Sequence, residues 1–428
     1  MITAASENRI YQKTLLGLFG LSCLALMIVV PFLITYHVPP IASFYKEWLT
    51  VLFGVLASLF LVGRTRANFQ FPVVTLIPLL LMVLLGVQVV ILEPDYWQNQ
   101  FIAALYLGFS ALIIVLAANL RHVMLLPRIV PVLAWAFVTA ASLILVLMVI
   151  SKFLDPKGDL AFWILNGRAG NIGQTNHFSN FMALALGSLL YLSMTGRIGK
   201  VVTIIISFVI LLGLAQAGQR MAILYVGLLS IGGWLLARKT SDAETFSIKP
   251  ITLLWLVPGF IAAQFIVPFL AFLDPATVPA KRLVDTMGRE SSRLILLEQG
   301  WNVFKAHPWI GLGWGEFAWY NFNVTEDYPG LKGMWSHVHN IIMQLMTETG
   351  IIGTLIFLGG MLYWLRGQFF ANLTIERWWI YALLAVLAVH SLLEFPLWYT
   401  HFLAFASLLL GLSSEKNLEG RFKLAPIA

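Results

Sequence analysis

GNIGQTNHFSNFMALALGSLLYL, residues 170–192, places Asn171, Gln174, Thr175, Asn176 and His177 directly against an apolar run greasy enough to enter a membrane. Hydrogen-bonding side chains are costly in hydrocarbon, so a cluster of them at the mouth of such a helix implies a polar site there. Outward from this stretch, apolar runs of about 20 residues recur from Thr14 to Leu412, each the length of a membrane crossing. The chain of 428 residues is 59% hydrophobic and 11% charged, with mean hydropathy +0.85. Soluble domains carry about 25% charged residues, so the reading is a polytopic integral membrane protein, all-α, with residues 1–428 as a single transmembrane domain. The net charge of +7 then concerns orientation in the membrane and not nucleic acid. A single Cys23 excludes an intramolecular disulfide. The apolar run after Arg9 and Lys13 is too long for a signal peptide and has no small-residue cleavage site, so it reads as a retained first helix.

Twelve membrane helices are predicted, at about 14–36, 48–63, 73–92, 100–120, 129–150, 176–195, 201–217, 221–237, 251–273, 341–365, 378–393 and 397–412. Assigning alternate loops to the cytoplasm puts 16 of the 27 Lys and Arg residues in seven inner segments, each with at least two. That asymmetry sets both termini inside. One long outer segment, about 274–340, is expected to fold as a lid on the bundle rather than as a separate domain. It carries Trp301, Trp309, Trp314, Trp319 and Trp335, which argues against disorder. For the tryptophans, an interfacial belt and sugar stacking both remain open.

On this topology all the histidines except His122 lie outside, and four polar clusters face outward with them. These are 167–177, 217–220, the long segment with RESSR (289–293) and HVHN (337–340), and 390–401. One shared outward-facing site accounts for them, since polar groups at membrane depth are tolerated where they line a protein-enclosed cavity. Arg220 sits in a turn of about three residues between two helices. It reads either as a lipid-headgroup arginine or as an anion clamp, because a guanidinium donates in a fork that matches phosphate. Arg293, in the amphipathic stretch RLILLEQGW, is its expected partner on a surface helix. Arg289, Lys281 and Arg282 read as solvated surface. His337 and His339 lack a third metal-ligating neighbour, so proton transfer is a better use than zinc, with His339 as base and His337 as a polar cap. Glu394 follows His390 by four residues, so its partner is either that histidine or a cation of the site. Pro396 then breaks the helix and leaves Tyr399 and His401 near the same surface.

The clusters resemble the bacterial O-antigen ligase and protein O-oligosaccharyltransferase superfamily, integral inner-membrane glycosyltransferases of GT-C-like architecture. The carriers are PFLITYHVPPIASFYKEW (31–48), GNIGQTNHFSN (170–180), AGQR (217–220), R-x7-W (293–301), HPWIGLGWGEF (307–317), HVHNIIMQLMTETGIIG (337–353) and EFPLWYTHFL (394–403). The H-P-x-x-G-x-G and H-N-x7-E-x-G-x-x-G patterns mark the superfamily. Q-T-N-H, H-x-P-P-x-x-x-F-Y-x-E and E-F-P-L-x-Y are similar to the protein-glycosylating branch that modifies type IV pilin. The periplasmic extension that longer members carry after the last helix has no counterpart here, as in shorter pilin glycosylases.

The resemblance implies a donor glycan on undecaprenyl pyrophosphate and an acceptor that is a periplasmic protein such as pilin, or lipid A core in the ligase alternative. It implies no metal and no cofactor. Carried over by motif, the pyrophosphate arginines fall on Arg220 and Arg293, the essential histidine on His339, the glutamine on Gln174 and the late tyrosine on Tyr399. Glu394 or Tyr399 would orient the base or the acceptor. Asn176 and His177, with Arg168, Arg289 and Asn340 from the same clusters, complete the donor-binding candidates. A transporter or lipid flippase is the rival from another class. Transporters bring polar groups to the bilayer midplane, whereas here they gather at the outer helix ends.

Overall fold

A computed structural model describes residues 4–37, 42–63, 69–154, 164–165, 167–270, 290–331, 333–369, 371–415 and 417. Each of the twelve apolar segments is helical. They are α1 (Ala4–Leu33), α2 (Phe44–Ser58), α3 (Leu76–Leu92), α4 (Gln98–Met124), α5 (Leu126–Leu154), α6 (Thr175–Met194), α7 (Lys200–Ala217), α8 (Met221–Ala237) and α9 (Leu256–Ile266). After the long connection, α10 (Glu290–Ala306) and α11 (Phe317–Asn323) precede α12 (Ile341–Gln368), α13 (Ile375–Ser391) and α14 (Thr400–Ser413). The expected end of the ninth helix, past 270, lies outside the described residues.

Among the described residues, eight helices are long and apolar enough to cross a membrane: α1 to α5, α7, the helix built on α9 and α12. The helices α8 and α14 are apolar but shorter. The helix α6 is not in that set, and the packing shows why it need not be. It is buried from His177 to Met194 and packs on α5, α7, α8 and α13, so its surroundings are protein and not lipid. Some polar groups bond from helix to helix: the Trp379 indole N–H donates to Ser188 Oγ at 2.9 Å, and that of Trp378 to the Gly233 carbonyl at 2.8 Å. Within a bilayer, helices gain from close van der Waals packing rather than from escape from water. The stacked rings of Phe32, Phe181 and Phe405 at the centre, 4.2 and 5.6 Å apart from Phe32, supply that packing.

The described part of the long segment is bolted to α12 through backbone. At Gly350 the chain leaves helical geometry, with φ +61°, and the loop 308–313 fits into the break. Leu312 and Gly313 N–H donate to the carbonyls of Thr347 and Glu348 at 3.0 and 3.2 Å, and Ile351 and Ile352 N–H donate back to those of Pro308 and Trp309 at 2.8 and 3.2 Å. Gln88 of α3 ties both sides, its amide donating to Ile310 and Glu348 carbonyls at 2.6 Å each. A Cβ on Gly311 would lie 2.3 Å from the Glu348 carbonyl carbon, and one on Gly350 would lie 2.4 Å from that of Trp309. The paired glycine motifs are therefore two halves of one backbone joint. Above it, α10 and α11 enclose a small core of Leu296, Phe317, Leu331 and Val338.

Candidate active site

The polar clusters meet at one end of the bundle, and the start of α6 joins them. Thr175 Oγ1 accepts from the Gln219 amide at 2.6 Å, which ties α6 to the α7–α8 turn where Arg220 stands as the residue before α8. One residue on, the Asn176 amide donates to Glu394 Oε1 at 3.0 Å. Glu394 is 6% exposed and is the hub of the site. Its Oε1 also accepts from Arg293 Nη2 at 2.7 Å, and its Oε2 accepts from His339 Nδ1 at 2.7 Å. Burial pushes the Glu394 carboxyl up, but the His339 hydrogen bond and the charges of His339 and Arg293 outweigh it and hold the group below the usual carboxylate range. An ionised carboxylate only accepts, so Nδ1 of His339 carries a proton, and in the neutral form of the ring the lone pair is on Nε2. The Arg293 side chain is 48% exposed, which leaves part of its donor fork facing solvent.

His339 is held in an uncommon backbone conformation, φ +61°, of the kind that costs about 1–3 kcal/mol and clusters at functional sites. Its neighbours impose it. Val338 N–H donates to Gln344 Oε1 at 2.6 Å, and Asn340 caps α12, its Oδ1 accepting from Ile342 and Met343 N–H at 3.1 and 3.0 Å. The Asn340 amide also donates to the Leu392 carbonyl at 3.0 Å, so this donor-binding candidate is committed to backbone. The His339 ring lies edge-on to Trp335 and Phe395, at 5.2 and 5.0 Å between centroids. His337 stacks face to face on Phe395 at 4.0 Å and pairs with the Ser336 hydroxyl at 2.8 Å. Burial, with His339 nearby, lowers its pKa to about 3, so it stays neutral.

Of the two partners open for Glu394, the geometry selects the cation. Both ring nitrogens of His390 are buried without a hydrogen-bond partner, as are those of His401, which is inside the bundle rather than at the surface. Tyr399 stands with its ring edge-on to His177 at 4.5 Å. Burial and the negative charges of Glu47 and Glu394 push its hydroxyl up to about 12, so it is a donor and not a base. The other donor-binding candidates divide. Gln174 occupies the residue before α6, Asn176 is on Glu394, Arg168 is half-buried on the preceding turn and His177 is buried beneath Tyr399. Arg289 lies outside the described residues. Within them, no group of three or more His, Cys, Asp or Glu side chains is placed to hold a metal ion.

Three residues to which the sequence pattern assigned no role hold this arrangement from behind. Lys46 Nζ donates to the Ile172 carbonyl, and His37 Nε2 lies 3.0 Å from that of Asn171, pinning the turn that starts α6. Glu47 accepts from the hydroxyls of Tyr106 and Thr400, the latter at 3.0 Å, and so ties α4 to the start of α14 beside Tyr399. The available signal was a Lys-Glu pair in an apolar helix, buried here at 4% and 9% exposure.

Residues 201–358 match the O-antigen ligase family, and residues 378–428 match the C-terminal part of the virulence factor membrane-bound polymerase family. Over 390 residues the chain is 27% identical to the ComP-specific O-oligosaccharyltransferase of Acinetobacter baylyi, an alignment covering 88% of this chain and 68% of that protein. Over 266 residues it is 25% identical to the general O-oligosaccharyltransferase of the same organism, covering 60% of this chain and 45% of that one. The fold and site thus define a membrane-embedded glycosyltransferase, with a lipid-linked glycan as donor and a protein or lipid as acceptor. Within that class the chain is similar to O-antigen ligases over residues 201–358 and to O-oligosaccharyltransferases over most of its length.

Proposed function

We propose that the chain transfers a glycan from undecaprenyl pyrophosphate to a Ser or Thr hydroxyl of a periplasmic protein such as type IV pilin. It would work from the bacterial inner membrane, with both termini cytoplasmic, the active site at the periplasmic face, and residues 274–340 as its lid. The observation that carries the reading is the Glu394 carboxylate, which grips His339 and Arg293 at 2.7 Å each. One group thereby fixes both a base and a cation, as acceptor activation and leaving-group stabilisation require.

In the step proposed, the acceptor oxygen bonds to the anomeric carbon as the bond from that carbon to the diphosphate oxygen breaks, with inversion. The diphosphate leaves with the electron pair, and the hydroxyl proton passes to Nε2 of His339. Glu394 stabilises the imidazolium that forms. Charge on the leaving group rises as the bond breaks, so Arg220 and Arg293 favour the transition state over the ground state. Tyr399, protonated at working pH, orients the acceptor or the base. Gln174, Asn176 and His177 line the donor mouth. The chemistry needs no metal.

The test is purified protein with lipid-linked oligosaccharide and, in parallel, pilin and lipid A core as acceptors, without any gradient. Glycosylated pilin is expected. Transfer to lipid A core alone would make the chain an O-antigen ligase, and translocation without transfer would make it a flippase. Chelator should leave the rate unchanged, and inhibition reversed by a divalent cation would refute the metal-free step.

A further inference from the structure

A cavity of about 450 Å³, lined by His337 and not by His339, lies between α4, the α10–α12 connection and α14. Its rim is polar and aromatic: Asn99, Ser336, His337 and the stacked indoles of Trp314 and Trp398, 5.4 Å apart and 18° from parallel. Its floor is apolar, formed among others by Leu107, Leu345 and Phe357. Among the described residues, no Asp, Glu, Lys or Arg lines it, and none of α6, α7 or α8 reaches it. The arginines of the site are elsewhere, Arg293 on α10 and Arg220 at the turn tied to α6. The Glu394–His339 pair therefore has a cationic side, which suits a diphosphate, and a neutral side, which does not.

We infer that this cavity is an acceptor subsite, taking a large uncharged side chain of the acceptor polypeptide two or three residues from the Ser or Thr that receives the glycan. The inference rests on the protein-acceptor reading above. The separation is bounded by two ring contacts, His337 to Phe395 at 4.0 Å and Phe395 to His339 at 5.0 Å, whose combined length two or three extended residues at about 3.4 Å each suffice to span. The volume is within the roughly 300–1,000 Å³ of ligand pockets and accommodates one or two large side chains. A second cavity of about 350 Å³ adjoins it, sharing Leu81, Leu107 and Phe357 among others and lined mainly by apolar side chains of α3, α4, α12, α13 and α14. Its lining suits a hydrocarbon chain. The upper cavity differs in its ring of polar and indole groups, which match a peptide backbone and a large side chain.

The experiment uses the full-length protein, lipid-linked oligosaccharide, and peptides with one acceptor Ser and Leu, Phe, Trp or Asp placed two or three residues to either side. At one of these positions the wild type should prefer Leu or Phe over Asp by tenfold or more in kcat/KM. Ala318→Trp fills the cavity and should raise the acceptor KM at least fivefold and erase that preference, with the donor KM within twofold. Leu107→Ala enlarges it and should move the preference toward Trp, which decides the matter if the filled variant does not fold. Absence of preference at all four positions in the wild type overturns the inference while leaving the transferase reading intact. A rise in donor KM in place of acceptor KM also overturns it and assigns the cavity to the lipid chain. Transfer to lipid A core with none to any peptide removes both.

Discussion

Replacing Glu394 by Gln keeps the side chain's shape and removes its charge, and the bonds the carboxylate makes set the outcome. It accepts from His339, Arg293 and Asn176 while only 6% exposed. Bonds to a charged acceptor contribute about 1.5–3 kcal/mol each, the Arg293 bond less than the others because its side chain is half exposed to screening solvent. An amide has one acceptor oxygen. Turned toward the two donors that share Oε1, it presents N–H groups to His339 Nδ1, which then has to accept and move its own proton to Nε2. The base is lost by a change of tautomer. Transfer should fall about 10²–10⁴-fold in kcat, with the protein still inserted and monodisperse, as an inverted histidine tautomer does elsewhere. A variant within threefold of the wild-type kcat would refute the assignment of Glu394 as the group that orients the base.

The same variant tests the sign of the pH dependence. The folded-state pKa of Glu394 is depressed, so its contribution to stability is present above the ordinary carboxylate pKa and lost as pH falls through the lower folded value. The melting difference between wild type and Glu394→Gln should close as pH falls below the ordinary carboxylate range. A gap that stays unchanged or widens there would mean that Glu394 is not held as a carboxylate.

Arg220→Ala and Arg293→Ala should each lower transfer about 10²–10³-fold with normal membrane insertion, read by mass spectrometry of the acceptor, and Arg293→Lys should recover only part because it restores charge but not the fork. Full activity in either alanine variant would remove that residue's role. Gly350→Ala places a side chain at φ +61° and 2.4 Å from the Trp309 carbonyl carbon, so the yield of monodisperse protein in detergent should drop sharply. Unchanged yield would show that the joint between the loop and α12 yields easily. Lys46→Met strands the buried Ile172 carbonyl at about 1–3 kcal/mol and frees the turn before α6. Loss of kcat of about tenfold, with faster proteolysis near residue 170, is expected, and wild-type kinetics would leave Lys46 no positioning role.

Hydropathy alone located twelve helical segments, eight of them, among the described residues, long and apolar enough to cross a bilayer, since such a run has few other options than a helix across or inside it. The sequence also disclosed which residues to watch, because a carboxylate, a guanidinium and imidazoles beside such runs are costly unless something uses them. It did not disclose their partners. His390 stood four residues from Glu394, yet α13 ends at Ser391 and the carboxylate, past the last helical turn, no longer follows that helix face. Its partners are 55, 101 and 218 positions away, on the loop before α12, on α10 and on α6. Local spacing carries no information about such pairings, which exist only once whole helices have packed. The same holds for the glycine joint at Gly311 and Gly350, for Lys46 beneath Ile172, and for the neutral cavity lined by His337. Each is made by backbone or side chains that meet across the bundle, so only the tertiary structure decided them.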